Sequence, residues 1–177
     1  MTATVYIATS IDGYIADAEG GLDWLSDGID PEQGDLGFDD FLSGIDAIVM
    51  GRITFQTVLA SGQWPYSKKV FVLSRTLSAL PEDMAGKAEI IAGTPAEIME
   101  KLAALGHSRL YVDGGNTVQS FLEADLIDHL IITRIPIILG GGVPLFGSLS
   151  APLRFELSDT RMLAGRMVQS SYDRVRR

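Results

Sequence analysis

Short apolar runs alternate with segments of helical period along this chain, and that alternation constrains its fold more than any other feature. Residues 3–9 (ATVYIAT) read as a buried strand. A helix is predicted over 36–43, where Phe38, Phe41 and Leu42 share one face. Strand 46–50 and a helix over about 53–60 follow. Residues 69–74 (KVFVLS) and 88–92 are further strands. The next helix covers 94–106: Thr94 is a good N-cap, Pro95 suits the first helical position, Glu97 completes a capping box, and Gly106 ends it. Strand 109–113, a helix over about 116–124 and strand 128–135 come next. The tail, 153–176, reads as two strands joined near Ala164-Gly165. Strands and helices in this order predict an α/β fold with a mostly parallel sheet. The closing hairpin adds an antiparallel edge, so the sheet is expected to be mixed. No repeat or linker divides the chain, and residues 1–177 are expected to form one domain. The longest irregular stretch, about 17–35, is rich in Gly and Asp, and loops of that length are often functional.

The ends of the strands carry the chemistry. Strand 46–50 stops at Met50, and Gly51-Arg52 follow where a helix begins. Open α/β sheets bind ligands beyond the carboxyl ends of their strands. A helix starting there offers free N–H groups and the positive end of its dipole. Glycine allows close backbone approach, and arginine forks onto phosphate. Gly51-Arg52-Ile53-Thr54 is therefore a phosphate grip or a plain strand-to-helix turn. The pattern recurs at Leu73-Ser74-Arg75-Thr76 and at Gly114-Gly115-Asn116-Thr117. Three neighbouring strands ending this way would surround one extended polyphosphate. Gly142 and Gly147 have the outer spacing of a P-loop, but Ser148 stands where the lysine belongs. Residues 140–147 are read instead as a turn and packing element.

Composition excludes several classes. The chain of 177 residues has no cysteine, which removes disulfides, thiolate metal sites and thiol nucleophiles. Its two histidines, His107 and His129, lack metal-ligand spacing, so no metal site is expected. A net charge of −9 argues against nucleic acid. The most apolar run, 130–139, is broken by Arg134 and Pro136 and is too short to span a bilayer. No cationic, apolar leader is visible, so a cytoplasmic protein with a small-molecule substrate is expected.

Residues 48–55 (IVMGRITF) resemble dihydrofolate reductase. Residues 9–16 (TSIDGYIA) and 113–146, which begin DGGNTVQSFLEADLIDHL, resemble the reductase domain of riboflavin biosynthesis. Both are branches of the dihydrofolate reductase superfamily, and the resemblance covers nearly the whole chain. It implies a three-layer fold, with a sheet of about eight strands and helices on both faces. It also implies NADPH. Carried over by position, Arg52 and Arg75 would hold the 2′-phosphate, with Leu73 and Ser74 beside them. Gly51, Ile53 and Thr54 would line the pyrophosphate with Gly115, Asn116, Thr117 and Val118. Backbone groups of Ala8 and Ile15 would hold the nicotinamide carboxamide. A cis peptide between Gly114 and Gly115 is implied too, and trans geometry there counts against the carry-over.

On the catalytic side, a shielded carboxyl with its pKa raised by burial would assist proton transfer. The resemblance points to Asp35, with Thr133 as its partner. Asp35 is equally suited to cap helix 36–43. Asp12 and Asp113 are alternatives, although Asp12 suits the 10–13 turn better. Trp24 would cover the nicotinamide or anchor its loop. Trp64 and Tyr66 would wall the pocket or cover the sheet edge. Lys68 stands where folate enzymes keep an arginine, a poor replacement at a bidentate site. Lys68, Lys69 or Arg134 would contact a substrate phosphate. His129 departs from the riboflavin branch, which usually has Asp-Glu-Leu at 128–130. The leading expectation is an NADPH-dependent reductase of the riboflavin type, acting on a pyrimidine or pterin ring. A dihydrofolate reductase and a non-catalytic nucleotide-binding relic are the alternatives. The resemblance further implies a homodimer built on the C-terminal strands and residues 135–139.

Overall fold

The computed structural model describes residues 1–25 and 35–176. Its fourteen labelled elements are β1 (Thr2–Thr9), β2 (Tyr14–Ala16), α1 (Phe38–Ser43), β3 (Ala47–Gly51), α2 (Arg52–Ala60), β4 (Lys69–Leu73), β5 (Ala88–Ile91), α3 (Pro95–Ala104), β6 (Arg109–Asp113), α4 (Gly115–Glu123), β7 (His129–Arg134), β8 (Val143–Pro144), β9 (Phe155–Leu163) and β10 (Met167–Arg174). The main sheet has eight strands in the order β5-β4-β3-β6-β1-β7-β10-β9. Neighbours from β5 to β7 run parallel, and β10 is antiparallel to both β7 and β9. This is the mixed, mostly parallel sheet that the element pattern predicts.

The central strands are apolar throughout because both their faces are covered. Ala47 and Val49 face one way, where Ile98 and Leu102 of α3 pack with Val118, Phe121 and Leu122 of α4. Ile48 and Met50 face the other way, towards Leu42 of α1 and Phe55 of α2. Three layers result. The cover ends before β10 and β9, where Leu157, Met162 and Val168 are 60%, 70% and 44% exposed on one face.

Local chemistry explains the boundaries. Glu97 N–H donates to Thr94 Oγ1 at 3.3 Å and Thr94 N–H to Glu97 Oε2 at 2.7 Å, so the capping box forms. The other end of α3, whose last helical residue is Ala104, closes at Gly106 as predicted. Gly106, at φ +87°, donates to Ala103 O and His107 donates to Leu102 O, a Schellman motif. The last hairpin turns at Ala164 and Gly165, both with positive φ (51° and 65°), as its right-handed twist requires.

The pairing of β2 with β8 has no counterpart in the sequence reading. It makes residues 140–147 the packing element that was expected: Leu145 is fully buried, and its N–H donates to Gly13 O at 3.0 Å. A Cβ on Gly142 would lie 2.1 Å from Ala16 O, so only glycine lets the two segments meet.

Candidate active site

β4, β3 and β6 are consecutive neighbours, and they end in register: Gly51 pairs with Leu73, and Met50 with Asp113. The three donor-bearing turns therefore lie side by side at one edge of the sheet. Two of them interlock. A Cβ on Gly51 would meet Thr117 Oγ1 at 3.0 Å, and a Cβ on Gly114 would meet Thr54 Oγ1 at 2.2 Å. Each helix start thus leans on the glycine of the other. A Cβ on Gly115 would meet Ile15 Cδ1 at 3.1 Å and Val143 Cγ1 at 3.3 Å, which places Ile15 and the β2–β8 ribbon against α4. Ile53 and Asn116 are exposed at the two helix starts, and Arg75 is exposed at the third turn. Arg52 donates to Gln56 Oε1 at 2.8 Å along its own helix. Ser74 Oγ accepts from the N–H groups of Thr76 and Leu77, fixing its own turn.

One expectation fails here, and one residue lies deeper than expected. The Gly114–Gly115 bond is trans, as no cis peptide occurs among the described residues. That counts against the carry-over. Gly114 instead turns the chain with φ +88°, a value open to glycine without strain. Val118 is not at the surface at all. Its side chain is fully buried among Phe121, Leu122 and Val112, and its N–H donates to Gly114 O at 2.9 Å. Exposing it to a ligand would give up roughly 1.5–3 kcal/mol of burial.

Next to these turns, β1, β7 and the final hairpin enclose a cavity of about 180 Å³. It is lined by Tyr6, Ala8, Leu25, Asp35, Leu36, Thr133, Ile135, Leu163 and Met167. Ala8, Asp35 and Thr133, singled out from the sequence, are thus brought together. Trp24 is not among the lining residues. It is buried against Ile135 and Met167, with no hydrogen-bond partner for Nε1 among the described residues, and it anchors Leu25 at the cavity wall. Asp35 is exposed, and its carboxylate accepts from the N–H groups of Gly37 (3.1 Å) and Asp39 at the start of α1. Those backbone donors, Asp39 first, hold its pKa below the ordinary carboxylate value. The shift is opposite to the one expected of a shielded proton donor.

Asp113 has that shift. Burial raises its pKa, opposed by the Gly114 N–H at 2.8 Å and by the hydroxyls of Tyr111 and Tyr66, the latter at 3.4 Å. The same cluster keeps both tyrosines protonated: burial and the nearby Asp113 raise their pKa values well above normal. Trp64 stands edge-on to Tyr66 and to Phe55, so this aromatic pair walls the Asp113 end. Asp12 works over a longer range than expected, accepting from the N–H groups of Leu139 (3.2 Å) and Gly140 (2.8 Å), while Ser10 closes the 10–13 turn.

Of the basic residues, Lys69 pairs with Glu89 at the start of β4, the end away from the turns. Arg134 follows Thr133 and so faces the other side of β7, beside Val168. His129 begins β7 and pairs with Asp173 at 2.7 Å, remote from the strand ends. The sequence reading missed Tyr6, Arg161 and Gln169. Gln169 is 3% exposed and bonds Thr133, its partner in the β7–β10 pairing. The alternation of β10 carries the signal, because Met167 and Gln169 share one face, but period alone does not say which face meets a cavity. Among the described residues no helix is long and apolar enough to cross a membrane.

The sequence profile of the RibD C-terminal domain family matches residues 2–169. YwjB of Bacillus subtilis, an uncharacterized protein, is 33% identical over 97% of each chain. A Shewanella sp. PV-4 protein provisionally assigned to riboflavin biosynthesis is 46% identical, with a TM-score of 0.96 over 99% of this chain and all of the other. The diaminohydroxyphosphoribosylaminopyrimidine deaminase/5-amino-6-(5-phosphoribosylamino)uracil reductase of Thermotoga maritima shares the fold, with a TM-score of 0.76 at 16% identity. It aligns over 98% of this chain and 56% of that one.

Proposed function

The chain belongs to the RibD C-terminal domain family, with its dihydrofolate reductase-like fold, and from that premise we propose that it is an NADPH-dependent reductase of a pyrimidine or pterin-type ring. The observation that carries the proposal is the adjacency of the β4, β3 and β6 ends beside a ring-sized cavity. The donor set suits a dinucleotide: exposed helix starts at Ile53 and Asn116, with Arg52 and Arg75 for the 2′-phosphate. When bound, NADPH supplies the hydride. The chain's own residues bind, orient and protonate. Ala8 and Thr133, paired in register on β1 and β7, form the cavity floor and side. Of the two carboxyls, Asp35 lines the cavity with its pKa lowered, whereas burial raises the pKa of Asp113 beside Tyr66, which makes Asp113 the better suited of the two to hold a proton. Two copies of the chain pair through the uncovered face around Leu157, Met162 and Val168.

Mixing the purified chain with NADPH and an aminouracil ribosyl phosphate tests the proposal, with absorbance followed at the reduced-nicotinamide band. Oxidation is expected with the aminouracil and not with dihydrofolate. Cofactor binding without oxidation by either ring would favour a non-catalytic protein. Rapid turnover of dihydrofolate would favour the folate enzyme.

A further inference from the structure

Arg161 is exposed on β9, yet its Nε reaches inward and donates to Gln169 Oε1 at 2.8 Å. A guanidinium has no acceptor, so this bond fixes which end of the Gln169 amide is oxygen. Nε2 must face the other way. There it donates to Thr133 Oγ1 at 2.9 Å and to the Tyr6 hydroxyl at 3.2 Å. Gln169 and Thr133 are 3% and 7% exposed, so water does not compete freely for these bonds. Each hydroxyl has accepted one hydrogen bond and keeps its own proton to donate. Among the described residues, neither proton has an acceptor, and both residues line the cavity. An unmet buried donor costs about 1–3 kcal/mol, so a ligand that accepts there is favoured.

We infer that Gln169, held by Arg161, is a positioning residue that turns the protons of Thr133 and Tyr6 into the cavity and so sets its preference for a ring edge made of acceptors. The inference rests on the cavity being the substrate site. A ring bearing carbonyl oxygens at that edge meets two donors. A ring bearing amino groups there sets donor against donor.

The test compares two rings of one shape, 5,6-diaminouracil and 2,4,5,6-tetraaminopyrimidine, by calorimetry on the full chain without cofactor. The wild-type chain should favour the uracil by at least about tenfold. Gln169→Glu keeps the bond from Arg161 but offers only acceptors inward, so both hydroxyls turn their protons towards it. The ratio should fall to about one or below, while NADPH affinity and Tm hold. Arg161→Leu, at an exposed position, frees the amide to turn and should lower the ratio in part, which keeps the test open if the first variant does not fold. An unchanged ratio in the variants overturns the inference, as does a wild-type chain that is indifferent to the two rings or binds neither. Failure to bind NADPH would strike the reductase proposal alone.

Discussion

Asp113 links one side chain to a measurable pH dependence. Its pKa in the folded chain lies above the ordinary value of 3.8, so over the interval between the two the folded state holds a proton that the unfolded state has lost. Stability then falls as pH rises through that interval. Asp113→Asn keeps an acceptor for the Gly114 N–H and cannot ionise. Denaturant titrations from pH 4 upward should show the wild-type decline and a flatter profile for the variant, and parallel profiles would reject the assignment. Arg52→Ala should weaken NADPH by about ten- to a hundredfold, the worth of one or two charge-assisted hydrogen bonds, and leave NADH nearly unchanged. Equal losses for both cofactors would remove Arg52 from the 2′-phosphate. Residues of this kind differ in legibility. Gly51, Arg52 and Gly114 stand out because each sits where an apolar strand gives way to a helical pattern, and Gly114 alone needs a positive φ there. Gln169 and Arg161 do not, because their meaning depends on a partner 36 positions from Gln169 in the chain.

At the scale of elements, the two glycine turns behave as one unit. Gly114→Ala places a Cβ 2.2 Å from Thr54 Oγ1 in a backbone of positive φ. A loss of roughly 1–3 kcal/mol is expected by urea denaturation. Adding Thr54→Ala should restore the steric part and leave the cost of the positive φ. If the double variant is as unstable as the sum of the singles, the turns are not in contact. Thr94→Ala should cost about 1 kcal/mol by the same measurement, since it opens the capping box of α3. Helices, parallel strands and the final hairpin were readable because periodicity and caps act within a few residues. The β2–β8 ribbon was not. Tyr14–Ala16 and Val143–Pro144 are too short to show a period, and they become strands only by finding each other across the fold.

The whole molecule divides its labour along the sheet. The half from β5 to β1 is sandwiched between helices, whereas β10 and β9 leave Met162, Val168 and Leu157 bare. If that face is the dimer contact, Met162→Glu should shift the sedimentation coefficient from dimer to monomer and remove any concentration dependence of Tm. A wild-type chain that sediments as a monomer would reject the pairing. The sheet order has a further consequence. The proposed cofactor turns come from residues 51–54, 73–75 and 114–117, but Leu163 and Met167 of the cavity wall, with Gln169 behind them, belong to the β9–β10 hairpin. Those strands close the edge of the sheet order, with β1 and β7 between them and the turns. Loosening the β9–β10 hairpin would therefore spoil the ring pocket before it disturbs the turns, so the two proposed binding functions are separable by where the damage falls.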